Sequence, residues 1–404
     1  MVNVAILGFG VVGSGVAEVL TGNVGQIDRK AAESIRLKYI LDVREFPDSP
    51  FADKFVRDFS VIEGDPDVDI VVETIGGVRA AKDFTERALK AGKSVVTSNK
   101  ELVATHGYDL LRLAEEHGVS YLFEASVGGG IPIIRPLNQC LAANEIEEIA
   151  GILNGTTNYI LTRMIRAGLS FEAALKEAQQ NCYAEQDPTA DIEGHDACRK
   201  ICILSSLAFG RHIYPDQVPT EGITGVTLAD VAYAASGRCK IKLLGRCIRR
   251  EDGALYVYVA PHLVPDENPL SGVEDVFNAI TVKGNAVGDV MFYGRGAGKL
   301  PTASAVVADV VDVAQHRRSR SSLRWGPGDP KAVVPAAGLS SAWYVRAALP
   351  AAAVGKSFGD VTFLTREGAP EEECAFLTAP MDQTALEKAL AALGAPCVKM
   401  RVLG

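Results

Sequence analysis

The residues Gly8-Phe9-Gly10-Val11-Val12-Gly13 stand between an apolar run, Val2–Leu7, and a helical pattern through Val16, Val19 and Leu20. Few folds place GxGxxG between a strand and a helix. The first glycine allows a tight turn, and the second lets a diphosphate approach the backbone. The third lets helix and strand pack closely, and the helix start offers free N–H groups to phosphate. The spacing predicts a dinucleotide site over Gly8, Phe9, Gly10, Val11, Val12 and Gly13.

The next segments fit that reading. A strand is expected at Leu37–Leu41, ending in Asp42-Val43-Arg44. An acid at this strand end would bind the ribose hydroxyls of NAD, and an arginine would meet the 2′-phosphate of NADP. Asp42 and Arg44 point opposite ways, so NAD and NADP both stay open. Val68–Glu73 reads as a strand leading to Thr74, and Ser94–Thr97 as another leading to Asn99-Lys100. Residues 119–123 form a further strand before Glu124. Strands alternating with helices predict an α/β fold with a doubly wound parallel sheet. Its ligand belongs at the carboxyl ends of the strands, where Glu73-Thr74, Asn99-Lys100 and Glu124 fall. This domain is expected over 1–137, completed by a helix at 301–318.

From about residue 138 strands and helices no longer alternate one for one. Strands at Glu145–Leu153, Ile241–Ile248, Ala254–Val259, Ala279–Val282 and Asp289–Tyr293 are interleaved with helices near 159–165, 171–181, 195–208 and 228–236. An α+β substrate and dimerisation domain is expected over 138–300. Residues 319–338, rich in Ser, Gly, Pro and Ala, read as a linker. A small α+β domain is expected over 339–404.

Asn181–Lys200, NCYAEQDPTADIEGHDACRK, concentrates the charged chemistry of the middle domain. Glu185, Asp187 and Asp191 lie around Pro188, where a helix cannot easily run. Asp196 and Lys200 are four apart on a helix and share a face. Such pairs are usually solvated surface. Beside a carboxylate-rich loop, this one also suits holding an ammonium group and moving a proton.

Composition excludes several classes of function. A net charge of -9 argues against nucleic acid and against an anionic membrane surface. No apolar run reaches the roughly 20 residues that span a bilayer. The chain enters a strand at Val2, leaving no room for a signal peptide. The eight cysteines are scattered without a CxxC, so reduced thiols in a cytoplasm are expected. His195, Cys198 and Cys202 do not make a zinc site, because the helix turns His195 away from the thiols and no second ligand cluster follows.

AILGFGVVGSGV, VVTSNKELVA, EASVGGGIPII, GILNGTTNYIL, YAEQDPTADIEGHDACRK and GRGAGKLPTASAVVAD together resemble the homoserine dehydrogenases, from residue 1 to about 318. The most specific block is Asp187-Pro188, Asp191, Gly194, Asp196 and Lys200. The resemblance implies a Rossmann domain and reversible NAD- or NADP-dependent interconversion of L-homoserine and L-aspartate 4-semialdehyde. It implies that Lys200 is the general acid, or the base in reverse, and that Lys100 lies near the reacting oxygen and the cofactor. Glu185 and Asp196 would hold substrate, with Asp191 in support. Thr74, Asp42, Arg44 and Gly298 would meet the cofactor. Glu124 with the backbone of Val127, Gly129 and Ile131 resembles a monovalent-cation site, for Na+ or K+. The family has glycine where Cys182 stands, which suggests a close backbone approach to cofactor or substrate. The tail resembles a degenerate ACT-like domain, and a homodimer or homotetramer is expected. Two other readings remain open: a Rossmann oxidoreductase of another amino-acid semialdehyde, and a catalytically dead amino-acid sensor.

Overall fold

The computed structural model describes residues 1–317 and 323–404. Residues 318–322 lie outside the described residues, and with them the start of the linker expected at 319–338; the helix expected over 301–318 is observed at Lys299–Gln315. The chain forms two compact units. One comprises Met1–Ile146, Cys202–Pro215 and Gly284–Asp329; the other comprises Glu147–Ile201, Asp216–Lys283 and Pro330–Gly404.

The strands of the first unit's main sheet are β1 (Val2–Leu7), β2 (Ile35–Leu41), β3 (Phe55–Val56), β4 (Ile70–Glu73), β5 (Ser94–Thr97) and β6 (Tyr121–Leu122). They pair in parallel in the order β3-β2-β1-β4-β5-β6. Val4, Ile6, Val71, Val72, Val95 and Val96 are fully buried, as strands covered on both faces require. The helix Lys299–Gln315 packs on the helix Val11–Gly22 at Gly15, where a Cβ would lie 2.8 Å from the Lys299 carbonyl. The order reverses between β1 and β4, so the carboxyl ends of these strands flank the crevice where such sheets bind ligands.

The second unit is built on β7 (Ile146–Ile152), β8 (Cys239–Arg249), β9 (Leu255–Pro265) and β10 (Phe277–Gly284). The strand Gly288–Arg295, β11, follows β10 in the chain. The tail supplies β12 (Trp343–Ala347), β13 (Val361–Leu364), β14 (Cys374–Thr378) and β15 (Cys397–Val402). Within the unit the order runs β10-β7-β8-β9-β15-β12-β14-β13. β8 and β9 are antiparallel from Cys239↔Pro265 to Arg249↔Leu255. β15 lies beside β9 in parallel, with Arg401 opposite His262 and Val402 opposite Leu263. The tail strands therefore extend the sheet of this unit, around a core of Trp343, Val345, Phe358, Phe376 and Leu386.

Short elements escaped the sequence pattern. The helices Val24–Ala31 and Phe59–Glu63 and the two-residue β3 were not anticipated. None is long enough to display a hydrophobic period.

Candidate active-site residues

In the first unit, Gly8 adopts φ +90° directly after β1, a backbone that favours glycine. A Cβ on Gly13 would lie 1.9 Å from the Gly8 carbonyl oxygen, so the third glycine lets the helix sit on the turn. A Cβ on Gly10 would meet nothing within 4 Å, and no side chain caps this helix start. The first amides of the helix are thus presented on an open face that suits phosphate oxygens. Thr74, just beyond β4, donates its hydroxyl to Leu7 O at 2.9 Å and Gly8 O at 3.0 Å, tying the two turns together.

Asp42 follows β2, and its Oδ2 accepts the Phe9 amide at 2.7 Å. Arg44 donates to the same carboxylate from its amide (3.0 Å), Nε (3.0 Å) and Nη2 (2.9 Å). The Arg44 guanidinium holds the Asp42 carboxyl well below the usual range, helped by the Arg44 and Phe9 amides. The two groups that point to different cofactors are therefore paired with each other.

Glu73 at the end of β4 is fully buried. It accepts the Ile75 amide at 2.7 Å and the Thr97 hydroxyl at 2.5 Å. Burial pushes its carboxyl up to about 7, against those two hydrogen bonds. Asn99 caps the helix that Lys100 opens, accepting the Leu102 amide at 3.1 Å.

Glu124 is buried, and its two carboxylate oxygens accept the amides of Ile133 (2.7 Å), Ile134 (2.8 Å) and Arg135 (2.8 Å). Its own amide donates to Asp309, whose carboxyl burial pushes up to about 8. Among the described residues, the carbonyls of Val127, Gly129 and Ile131 accept no hydrogen bond. A Cβ on Gly129 would lie 2.2 Å from the Gly296 carbonyl oxygen, and the Gly130 amide donates to Arg295 O at 3.0 Å. Gly298 has φ +129° ahead of the helix Lys299–Gln315, a conformation favouring glycine.

In the second unit, Asn154 links the acids to the lysine. It follows β7 and caps the helix Gly155–Ala167 through Oδ1, which accepts the Thr157 amide at 2.8 Å. Its Nδ2 donates to Asp191 Oδ1 at 2.7 Å and to Asp196 Oδ2 at 2.9 Å. Lys200 Nζ donates to Asp196 Oδ2 at 2.8 Å and to Leu153 O at 2.7 Å. Asp196 is 3% exposed and Lys200 7%, so the helical pair is buried and not a solvated face. Burial, and then the charge of Asp196, raise the Asp191 carboxyl. Asn154 had no role assigned from sequence. Its block, Asn154-Gly155-Thr156-Thr157-Asn158, was visible as a polar turn, but its partners lie about forty residues on.

Homoserine dehydrogenase family models match this chain, the NAD-binding domain over 8–124 and the homoserine dehydrogenase domain over 132–311. A homoserine dehydrogenase of Neisseria gonorrhoeae is 41% identical over 354 residues, covering 85% of this chain and 81% of that one. The chain belongs to the homoserine dehydrogenase family. Its activity is that of an oxidoreductase using a nicotinamide cofactor. The homoserine dehydrogenase of Bacillus subtilis is 42% identical over 322 residues, covering 78% of this chain and 74% of its own. The crystal structure of a homoserine dehydrogenase from Thiobacillus denitrificans superposes with a TM-score of 0.90 at 36% identity, over 100% of this chain and 98% of that one. A hyperthermophilic archaeal homoserine dehydrogenase in complex with NADPH gives 0.68 at 28% identity, over 80% of this chain and 99% of its own.

Two residues expected from the family pattern share no hydrogen bond with the Lys200 cluster among the described residues. Glu185 is exposed on its loop, and its carboxylate makes no hydrogen bond or ion pair among the described residues. Cys182 is exposed at φ +58°. It follows the helix Phe171–Gln180 and its cap Asn181; its amide reaches Gln179 O at 3.1 Å, and that of Tyr183 reaches Ala178 O at 2.8 Å. This paired closure of a helix end calls for a left-handed residue. In this homoserine dehydrogenase, then, the backbone conformation itself supplies a reason for a glycine at this position. Among the described residues, no helix is long and apolar enough to cross a membrane.

Proposed function

We propose that Lys200 is the proton-transfer group of this homoserine dehydrogenase. It would give a proton to the aldehyde oxygen of L-aspartate 4-semialdehyde, or take one from the hydroxyl of L-homoserine. The observation that carries this is a buried lysine held by Asp196 and Leu153 O, beside a second acid shared through Asn154. A cationic group so held stabilises charge developing on the substrate oxygen. A bound nicotinamide supplies or accepts the hydride. Lys100 is read as a second catalytic group, near the cofactor. Asp196 orients Lys200 and holds substrate, with Asp191 beside it. Glu185, with its carboxylate unengaged, is read as the partner of the substrate ammonium.

Gly8, Phe9, Gly10, Val11, Val12 and Gly13 would carry the diphosphate, with Thr74, Gly298 and Cys182 as further cofactor contacts. Asp42 supports NAD over NADP. Its carboxylate is fixed by the Phe9 amide, and a 2′-phosphate would have to draw Arg44 away from it. The unsatisfied carbonyls of Val127, Gly129 and Ile131 support a bound Na+ or K+, with Glu124 as an anchor of the loop. We also read the chain as a cytoplasmic homodimer or homotetramer; the exposed Met291 and Tyr293 of β11 support association.

Spectrophotometric oxidation of L-homoserine with NAD and NADP side by side tests this reading. Turnover is expected with both and is faster with NAD. Equal or faster use of NADP would overturn the reading of Asp42, and no oxidation with either would overturn the activity.

A further inference from the structure

Glu73 contributes a fully buried carboxyl to the first unit, yet it makes no ion pair among the described residues. A carboxyl buried without a counter-charge is costly, and a hydrophobic side chain would fill the same volume without that penalty. What Glu73 provides instead is acceptors. One oxygen takes the Ile75 amide and the other the Thr97 hydroxyl. The Thr97 oxygen in turn accepts the Asn99 amide at 2.9 Å. Asn99 Nδ2 closes the circuit, donating to Ile75 O at 3.2 Å and Gly77 O at 2.7 Å. The carboxyl therefore locks the turn after β4 to the loop after β5, and that loop ends in the cap of the helix whose first residue is Lys100. Thr74, on the first of these turns, is bonded to Leu7 O and Gly8 O, so the lock extends to the glycine turn.

We propose that Glu73 is the positioning residue for Lys100, setting the start of its helix against the turn after β4 without meeting substrate or cofactor itself. This rests on the reading of Lys100 as a catalytic group. A displacement of about 1 Å at such a group costs on the order of a hundredfold in rate. Glutamine at 73 keeps the volume but replaces one acceptor with an NH2 donor, so the Thr97 hydroxyl loses its acceptor and keeps the link only by turning round to accept.

The test is a double-mutant cycle on the full-length enzyme. Glu73→Gln is expected to lower kcat about 10- to 100-fold. KM for homoserine and Kd for the dinucleotide, read by fluorescence titration, are expected to stay within about twofold. In a Lys100→Ala background the same change is expected to lower kcat no further, because the group it positions is gone. Effects that multiply would overturn the proposal, as would an unchanged kcat in Glu73→Gln. An unchanged kcat in Lys100→Ala alone would instead remove the role of Lys100, and is seen without reference to Glu73. Should Glu73→Gln not fold, Thr97→Val cuts the same link and goes through the same cycle, with the same outcomes deciding.

Discussion

Between Gly8 and Gly13 the groups offered to a ligand are main-chain amides, and side chains matter mostly by their absence. From Asn154 to Lys200 the reverse holds: an amide, two carboxylates and an ammonium are bonded to one another inside the protein. The contrast matches two different tasks. A diphosphate needs many weak, fixed donors that never change protonation. A proton-transfer site needs a few groups that can, in surroundings that hold them still. The first design fails when an atom is added, and the second when one is removed.

Four experiments probe that contrast, the strongest effect first. Lys200→Ala is expected to lower kcat by about 10²- to 10⁴-fold while dinucleotide Kd changes little. Steady-state rates and a fluorescence titration measure the two, and unchanged turnover would remove Lys200 from the chemistry. Gly13→Ala adds one methyl group 1.9 Å from the Gly8 carbonyl oxygen. It is expected to weaken dinucleotide binding about 10- to 100-fold, since the helix must lift off the turn that it presents. Normal affinity would mean that the amides are not what holds the cofactor.

The third experiment concerns a side chain in the backbone-built half. Glu73 holds its proton up to about 7 in the folded chain, against an ordinary value of 4.5. The unfolded chain gives up that proton first. The stabilisation is therefore full below about pH 4.5 and is lost as pH rises through 7. Melting temperature measured from pH 4 to 9 is expected to fall more steeply for wild type than for Glu73→Gln, which carries no such proton. Tyr121, the other buried titratable group facing it, stays neutral throughout, its hydroxyl pushed well up by burial and by Glu73. Parallel curves would show that Glu73 titrates as in water.

The fourth concerns a backbone feature in the half built from side chains. Cys182 sits in the left-handed region at φ +58°. Cys182→Gly is expected to raise unfolding free energy by up to about 1 kcal/mol, because relief of strain exceeds the entropy glycine gives up. Urea titration reads this, and a loss of stability would mean that the thiol contributes packing that outweighs the strain.

The two halves also differed in how far they could be read from the chain. The glycine turn is a local device, and its spacing next to Val2–Leu7 was enough to locate it. Asp196 and Lys200 were visible as helical neighbours, but spacing alone cannot distinguish a buried pair from a wet one. What holds them inside is the carbonyl of Leu153 and the side-chain amide of Asn154, both more than forty residues upstream. Glu73 was legible only as a strand-end acid, since its partner Thr97 belongs to the neighbouring strand. The pairing of β15 with β9 joins residues more than a hundred apart, which no local pattern encodes. The strain at Cys182 was hidden because a helix exit is set by backbone torsion, and the side chain there runs against the usual preference.

The place of β15 in its sheet also bears on biogenesis. Every strand that flanks it, β9 and β12 included, leaves the ribosome earlier. Until Cys397–Val402 emerge, β9 shows an open edge, and the unit that contains Lys200 waits half-zipped. A nonsense codon ahead of β15 would therefore harm the nascent protein far upstream, leaving a sticky border for chaperones to guard.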